Sequence, residues 1–247
     1  MYIKRLILSN FKNIVSADLT FSPGINCICG DNGEGKTNLL DAVHYLSMTK
    51  SFLQSSDRFT YTYGASEATL CGTYDIDGYE EKIALSVKSQ GEKTIKKNDK
   101  AYPRISEHIG HIPVVIISPS DTSLIHDSGE ERRRFMNIVL SQTDPQYLRA
   151  MQSYNRVLQQ RNKLLKSDTP PSEILLEAFS GQLNRDADYI FRKRGELAQE
   201  LNALAAGFYA RLSDDKESIS LEYSSDLNRA TMAQLLKSAY QRDIALK

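Results

Sequence analysis

The feature that most constrains the fold is a glycine-rich octapeptide that follows a short apolar run at residues 25–29. The octapeptide reads Gly30-Asp31-Asn32-Gly33-Glu34-Gly35-Lys36-Thr37. It matches the phosphate-binding pattern G-x-x-x-x-G-K-[ST]. Apolar residues then recur at helical spacing over residues 39–46. The sequence therefore predicts a buried strand, a phosphate-binding loop and a helix, in that order.

The chemistry of this loop follows from its place at a helix start. Backbone N–H groups there have no partner within the helix, and the helix dipole favours an anion beside them. Lys36 is predicted to reach the terminal phosphates, and the Thr37 hydroxyl to bind Mg²⁺. We therefore predict ATP as ligand and residues 30–38, ending at Asn38, as its phosphate site. The alternative is a glycine-rich turn without a ligand.

Composition excludes some classes of protein and leaves others open. The 31 basic and 31 acidic residues cancel, so any contact with nucleic acid must come from a local patch. No apolar run approaches the roughly 20 residues that span a membrane, and the N-terminus has a strand pattern and does not read as a signal peptide. We expect a cytoplasmic protein. Three cysteines in strand-like runs are expected to be small buried hydrophobes: Cys27, Cys29 and Cys71.

Residue patterning predicts a β-rich first part. Residues 1–30 and 68–102 alternate in the manner of strands, and Asp77-Gly78 is typical of a hairpin turn. The apolar run Pro113–Ile117 is expected to be a central strand.

The second part is predicted to be helical. Ser128 precedes Glu131 by three residues, as in a capping box, and helical spacing continues to about Leu212. Pro170-Pro171 is expected to start a long helix, Ile219–Tyr223 to form a returning strand, and 231–246 a last helix. We predict a P-loop head at 1–122, a helical lobe at 123–213 and a return segment at 214–247.

A P-loop alone does not hydrolyse ATP, since a carboxylate on Mg²⁺ and a group that orients water are also needed. The strand-like run that ends at Ile117 is followed by Ser-Pro-Ser before Asp121. The stretch Phe179–Leu183 partly resembles the ABC-type signature, but it lies inside a helical pattern and lacks the second glycine. We identify no catalytic carboxylate and no ABC signature, so we expect either a fragment or a protein that works without hydrolysis.

Four blocks resemble the RecF family, the SMC-type ATPases of bacterial recombinational repair. They are Leu8–Asn13; Phe21–Asn26 continuing into Gly30–Leu46; Lys50-Ser51-Phe52; and Ser118–Asp121 with Glu131–Phe135, Leu140–Gln142 and Arg161–Leu165. The resemblance is dense over residues 1–165. One departure is Leu53, where the family usually has arginine.

The resemblance implies an α/β fold: an ABC/SMC-type P-loop head with a mixed sheet and an inserted all-helical lobe. It also implies an ATP-driven homodimer on double-stranded or gapped DNA, which helps RecR and RecO to load RecA, with weak ATPase activity in the intact protein. In related heads the basic residue between the first two strands approaches the nucleotide, so Lys12 and Asn13 join the predicted site; a surface turn is the alternative. Asp121 stands at the place of the Q-loop, where we hypothesise that it faces Mg²⁺, and a turn residue is the alternative.

Two basic stretches and two other functions remain open. The lysines of residues 88–100 could contact DNA or protect a sheet edge, and Arg132–Arg134 could serve DNA, a dimer or local ion pairs. The alternative functions are a nucleotide-binding scaffold that hydrolyses nothing and a small-molecule P-loop kinase.

Overall fold

The computed structural model describes residues 1–54, 56–167 and 172–245. They form two compact units, residues 1–121 and 122–247. The first combines a sheet with one helix and the second is helical, so the chain has the predicted α/β class with a helical region. The predicted three-part division stays a prediction. The expected helix start at Pro170-Pro171 lies outside the described residues.

The first unit is built on a six-stranded sheet in which every neighbouring pair is antiparallel. Its order is β2-β1-β3-β4-β5-β6. The strands are β1 (Tyr2–Phe11), β2 (Ile14–Thr20), β3 (Glu67–Ile76), β4 (Tyr79–Lys88), β5 (Lys93–Lys97) and β6 (Lys100–Ala101). Among the described residues, only the antiparallel part of the expected mixed sheet is formed.

Sequence patterning explains the hairpin and the core. Asp77 and Gly78 both have positive φ, 53° and 87°, as the predicted turn between β3 and β4 requires. Alternate residues of β1, β3 and β4 are buried, and helix α1 (Lys36–Met48) packs on that face. The core joins Leu6 and Leu70 of the sheet to Tyr45 and Leu46 of α1, all fully buried. This packing places the N-terminus of α1 beside the sheet.

Two predicted strands are wrong for the described structure. Residues 25–29 and 113–117 form no strand, and Ile25, Val115 and Ile117 are between 85% and 92% exposed. Cys27 and Cys29 are exposed as well and Cys71 is half-buried, so the prediction of three buried cysteines also fails. Apolar composition cannot make a strand by itself, because the backbone groups of a strand need neighbouring strands as partners.

The second unit consists of helices α2 (Ser123–His126), α3 (Gly129–Thr143), α4 (Pro145–Leu165), α5 (Glu173–Ser213) and α6 (Met232–Ala245). Ser128 caps α3, as predicted, although its hydroxyl accepts from the N–H of Glu130. Tyr147 and Ile190 belong to one buried cluster, and Val157, Leu183 and Leu236 form another.

The last helix is confirmed through Ala245. The predicted strand Ile219–Tyr223 is wrong, since that segment pairs with none of the described strands. Within the described ranges, no helix has the length and hydropathy that a membrane span requires.

The helical core offers a matched pair of leucines on α5. Leu183 is fully buried and Leu204 is 60% exposed. We expect Leu183→Ala to lower the free energy of unfolding by about 2–5 kcal/mol because it leaves a cavity, and Leu204→Ala by less than about 1 kcal/mol. Urea unfolding followed by circular dichroism measures both. Equal losses would contradict the assignment of Leu183 to the core.

His108 gives the first unit a predictable pH dependence. Its Nε2 lies 2.7 Å from the carbonyl oxygen of Leu46, and its Nδ1 has no hydrogen-bond partner within the described part of the chain. Burial lowers the pKa of His108, with a partly opposing effect of that hydrogen bond and small lowering contributions from His111 and Lys97. The unfolded chain therefore binds the proton at higher pH than the folded one, so this contribution to stability is complete above the ordinary pKa of about 6.5 and is lost as pH falls below it.

We expect His108→Gln to flatten the dependence of unfolding free energy on pH between about 7 and 5, by up to about 1.4 kcal/mol per pH unit. Urea unfolding at several pH values measures the slope. His126→Gln, at an exposed position, is the matched control. A slope in His108→Gln equal to that of the wild type would refute the argument.

Candidate nucleotide phosphate site

The predicted phosphate loop leads directly into α1. Gly33 and Gly35 have φ values of 91° and 94°, which side-chain-bearing residues rarely adopt. Gly35 is the N-cap of α1, no side chain caps this end, and no acidic residue stands in the first turn. The N–H of Leu39 donates to the carbonyl of Gly35 at 2.9 Å. The helix thus presents amides and the positive end of its dipole on an exposed loop, which is the arrangement that an anion requires.

Lys36 folds over this loop. Its ammonium donates to the carbonyl oxygens of Gly30 and Asp31, at 2.7 and 2.6 Å. These bonds are exposed, so a phosphate can replace them at little cost in desolvation. Lys36, the lysine that the motif predicts to bind phosphate, therefore lies against the start of the loop. Thr37 follows at an exposed position in the first turn.

Asn13 lies against the same loop. Its amide nitrogen donates to the carbonyl of Gly33 at 3.3 Å, and its amide oxygen accepts from Asn38 at 2.7 Å. The structure thus brings together the turn after β1, the loop and the first turn of α1. It shows Asn13 in contact with the protein part of the site, and a contact with nucleotide stays a prediction.

Lys12 has a different environment from the one expected of a ligand-binding residue. Its ammonium is 2.5 Å from the carboxylate of Asp41, and the two side chains are 5% and 0% exposed. Lys12 also has a positive φ of 53°, and its N–H donates to the carbonyl of Thr60. The ammonium of Lys12 is therefore paired with a carboxylate of helix α1. The predicted contact of Lys12 with nucleotide stays untested.

Asp41 is a residue next to the candidate site whose contacts sequence reasoning missed. Besides Lys12, it accepts from the Ser51 hydroxyl and the Phe52 N–H, both at 2.8 Å. It thereby fixes the segment after α1 as well as the turn after β1. No local pattern marks Asp41, because its partners lie 10 or more residues away in the sequence.

The segment after α1 is held at a second point. The Tyr45 hydroxyl donates to Asp57 at 2.6 Å, and Lys93 pairs with Asp57 at 2.7 Å while lying 5.0 Å from the centre of the Tyr45 ring. Burial, followed by the bond to Asp57, raises the pKa of Tyr45 far above its usual value. Tyr45 therefore stays protonated and serves as a fixed donor.

Asp121, the other residue predicted to face Mg²⁺, is hydrogen-bonded within its own turn. Asp121 accepts from the N–H and hydroxyl of Ser118, at 2.7 and 3.2 Å, as a turn residue does. Its predicted role toward Mg²⁺ stays a prediction. Within residues 1–54, 56–167 and 172–245, no group of three or more His, Cys, Asp or Glu residues could hold a metal ion.

The basic stretches are largely paired. In the first, Lys88 pairs with Glu92, Lys93 with Asp57 and Lys97 with Glu81. In the second, Arg134 lies 3.8 Å from Glu131, and Arg132 donates to the carbonyls of Leu124 and Asp127. The contacts of Arg132 and Arg134 agree with the alternative of local pairing. For the lysines, protection of a sheet edge and contact with DNA both stay predictions.

The fold and the loop define a P-loop protein, and the sequence matches the AAA domain family over residues 5–238. Curated relatives make the assignment narrower. DNA replication and repair protein RecF of Porphyromonas gingivalis is 40% identical over the whole chain and 68% of its own length. The Bacteroides fragilis protein of the same description is 40% identical over 98% of this chain. The chain belongs to the RecF family.

Solved structures agree with this assignment. A structure of the recombination mediator protein RecF-ATPrS in the RecFOR pathway is similar at a TM-score of 0.89, with 29% identity. A RecF-ATP structure gives 0.87 at the same identity. Each comparison covers 99% of this chain and 68% of the other. The chain spans about two thirds of the length of the relatives that it matches, 66% for the Bacteroides fragilis protein.

The buried pair of Lys12 and Asp41 leads to a prediction about stability. Lys12→Met leaves a carboxylate buried without a cation, and we expect a loss of about 3–5 kcal/mol in unfolding free energy. Adding Asp41→Asn should restore part of it, because no buried charge then remains. Lys4→Met is the matched control, since Lys4 and Glu80 form an exposed pair at 2.9 Å that contributes about 0–1 kcal/mol.

Urea unfolding followed by circular dichroism gives the unfolding free energies of the wild type and of these three variants. A loss in Lys12→Met as small as that in Lys4→Met would show that the buried pair does not hold the turn to α1.

Proposed function

We propose that this chain is the ATP-binding part of a RecF-type DNA replication and repair ATPase. The observation that carries the proposal is the open loop at the N-terminus of α1, with its two left-handed glycines and with Lys36 at its mouth. Its support is the similarity of the fold to RecF-ATP and RecF-ATPrS. In this proposal the amides of residues 30–38 bind the phosphates and Lys36 exchanges its carbonyl partners for phosphate oxygens.

The donor set fits Mg²⁺ in part. The Thr37 hydroxyl is an oxygen ligand of the type that Mg²⁺ uses together with substrate phosphates and water. The bound ion would neutralise phosphate charge. Thr37 would hold it and Lys36 would orient the phosphate chain, whereas Asp121 would first have to leave the turn of Ser118.

The proposal extends to assembly. By family membership, we infer an ATP-dependent homodimer on double-stranded or gapped DNA that acts with RecR and RecO in loading RecA. The relatives are DNA replication and repair proteins and the similar solved structures belong to the RecFOR pathway, and both facts support this extension. Turnover of ATP with and without duplex DNA, on this chain and on a chain of the relatives' full length, separates an ATPase from a scaffold that only binds nucleotide. Transfer of phosphate to a small molecule would favour a kinase instead.

The direct test is nucleotide affinity. We expect Lys36→Ala to weaken ATP binding about tenfold to hundredfold, because charge-assisted hydrogen bonds to the phosphates are lost. Isothermal titration calorimetry measures the affinity. Lys96→Ala, at an exposed position on β5, is the matched control and should bind as the wild type does. Equal affinities in Lys36→Ala and Lys96→Ala would overturn the proposed site.

A further inference from the structure

The side chain of Asn13 contacts the phosphate loop from outside it. Both ends of its amide are used: the nitrogen donates to Gly33 and the oxygen accepts from Asn38. One partner lies in the loop and the other in the first turn of α1. Asn13 therefore joins the two parts of the site whose relative position decides where a phosphate can lie.

The fit between Asn13 and the loop is tight. A Cβ atom added at Gly35 would lie 2.8 Å from the Asn13 amide oxygen and 2.9 Å from its nitrogen. Real Cβ atoms essentially never come so close to another heavy atom, so Asn13 occupies the space that a side chain at position 35 would need. The loop at Gly35 is thus shaped by its own φ of 94° and by a neighbour packed against it.

The turn that carries Asn13 is itself anchored. Lys12, the preceding residue, forms the buried ion pair with Asp41 of α1, and its N–H donates to Thr60. Because the backbone of the turn is fixed at Lys12, the amide of Asn13 is held in place and does not have to be recruited from a mobile surface. Both turn residues therefore act on the helix that begins at the phosphate loop.

We propose that Asn13 is a positioning residue, which fixes the phosphate loop through Gly33 and Asn38 and makes no contact with the nucleotide. The proposal rests on the proposed function in so far as the loop binds ATP. It differs from the expectation that Asn13 is a direct ligand. Direct contact would need the second N–H of the Asn13 amide to reach a phosphate oxygen, whereas positioning uses the contacts that are present.

Amide hydrogen exchange without nucleotide tests the positioning role by itself. We expect Asn13→Ala to speed exchange by about tenfold at the hydrogen-bonded amides where α1 begins, residues 39–41, of which the Leu39 N–H donates to Gly35; this is the equivalent of losing a net hydrogen bond. Exchange in β3 and β4 should not change. Asn98→Ala is the matched control: Asn98 also lies in a turn and accepts from the N–H of Lys82, far along the sequence from the loop. Unchanged exchange at residues 39–41 in Asn13→Ala would overturn the proposal.

ATP affinity, measured by calorimetry in a double-mutant cycle, separates positioning from direct contact. We expect Asn13→Ala to weaken ATP binding about threefold to tenfold. Asn38→Ala should weaken binding in the wild-type background but not in the Asn13→Ala background, because the two side chains act as one unit. Additive losses would mean that Asn13 acts independently of Asn38 and would overturn the proposal.

Failure of the proposed function and failure of the positioning role give different results. Absence of ATP binding by the wild-type chain would refute the proposed function, while the exchange experiment would still decide whether Asn13 fixes the loop. ATP binding that depends on Lys36 but not on Asn13 would refute the positioning role alone.

Discussion

The site depends on one requirement of helix α1: it must bury one face on the antiparallel sheet while its N-terminus stays open. Tyr45 and Leu46 satisfy the first part, since they are fully buried with Leu6 and Leu70. The second part follows from Gly35, which starts the helix without a side-chain cap. A capping carboxylate or hydroxyl there would satisfy the amides and compete with an anion. Packing thus fixes the direction of the helix, and the absence of a cap in this described segment leaves its positive end available.

Among the described residues, few charged groups near helix α1 compete with an anion for the loop. The carboxylate nearest along α1, Asp41, is fully buried and already paired with Lys12 and two further donors. A buried pair of this kind is weak evidence for net stability, because desolvation offsets much of the attraction. Its effect is geometric: it holds two chain segments against one helix turn. The expectation that Lys12 approaches the nucleotide comes from the resemblance alone, since the sequence shows the lysine and does not show its buried partner Asp41.

Local rules predicted the parts of the fold that depend on local interactions. The Asp77-Gly78 hairpin, helix α1 and the cap at Ser128 follow from turn chemistry, spacing and capping, each decided within a few residues. The strands expected at residues 25–29 and 113–117 failed for the opposite reason. An apolar run shows that a segment can be buried, but only a neighbour with free edge groups makes it a strand, and the six strands described here pair with one another. The phosphate loop could be predicted as a motif; the contacts of Asp41 and of Asn13 could not, because they join residues 10 or more positions apart in the sequence.

The contacts of Lys36 help to order the loop. Lys36 is the cation of the motif, and here it is bonded to two carbonyl oxygens of its own loop. A phosphate offers oxygens of full negative charge in place of these carbonyl dipoles, so exchange is favourable for the lysine. The glycines must keep their left-handed conformations for the amides to converge on the same phosphate. The lysine supplies attraction and the backbone supplies shape, and shape has to come from residues outside the loop, among which Asn13 is the one in contact with it at both Gly33 and Asn38.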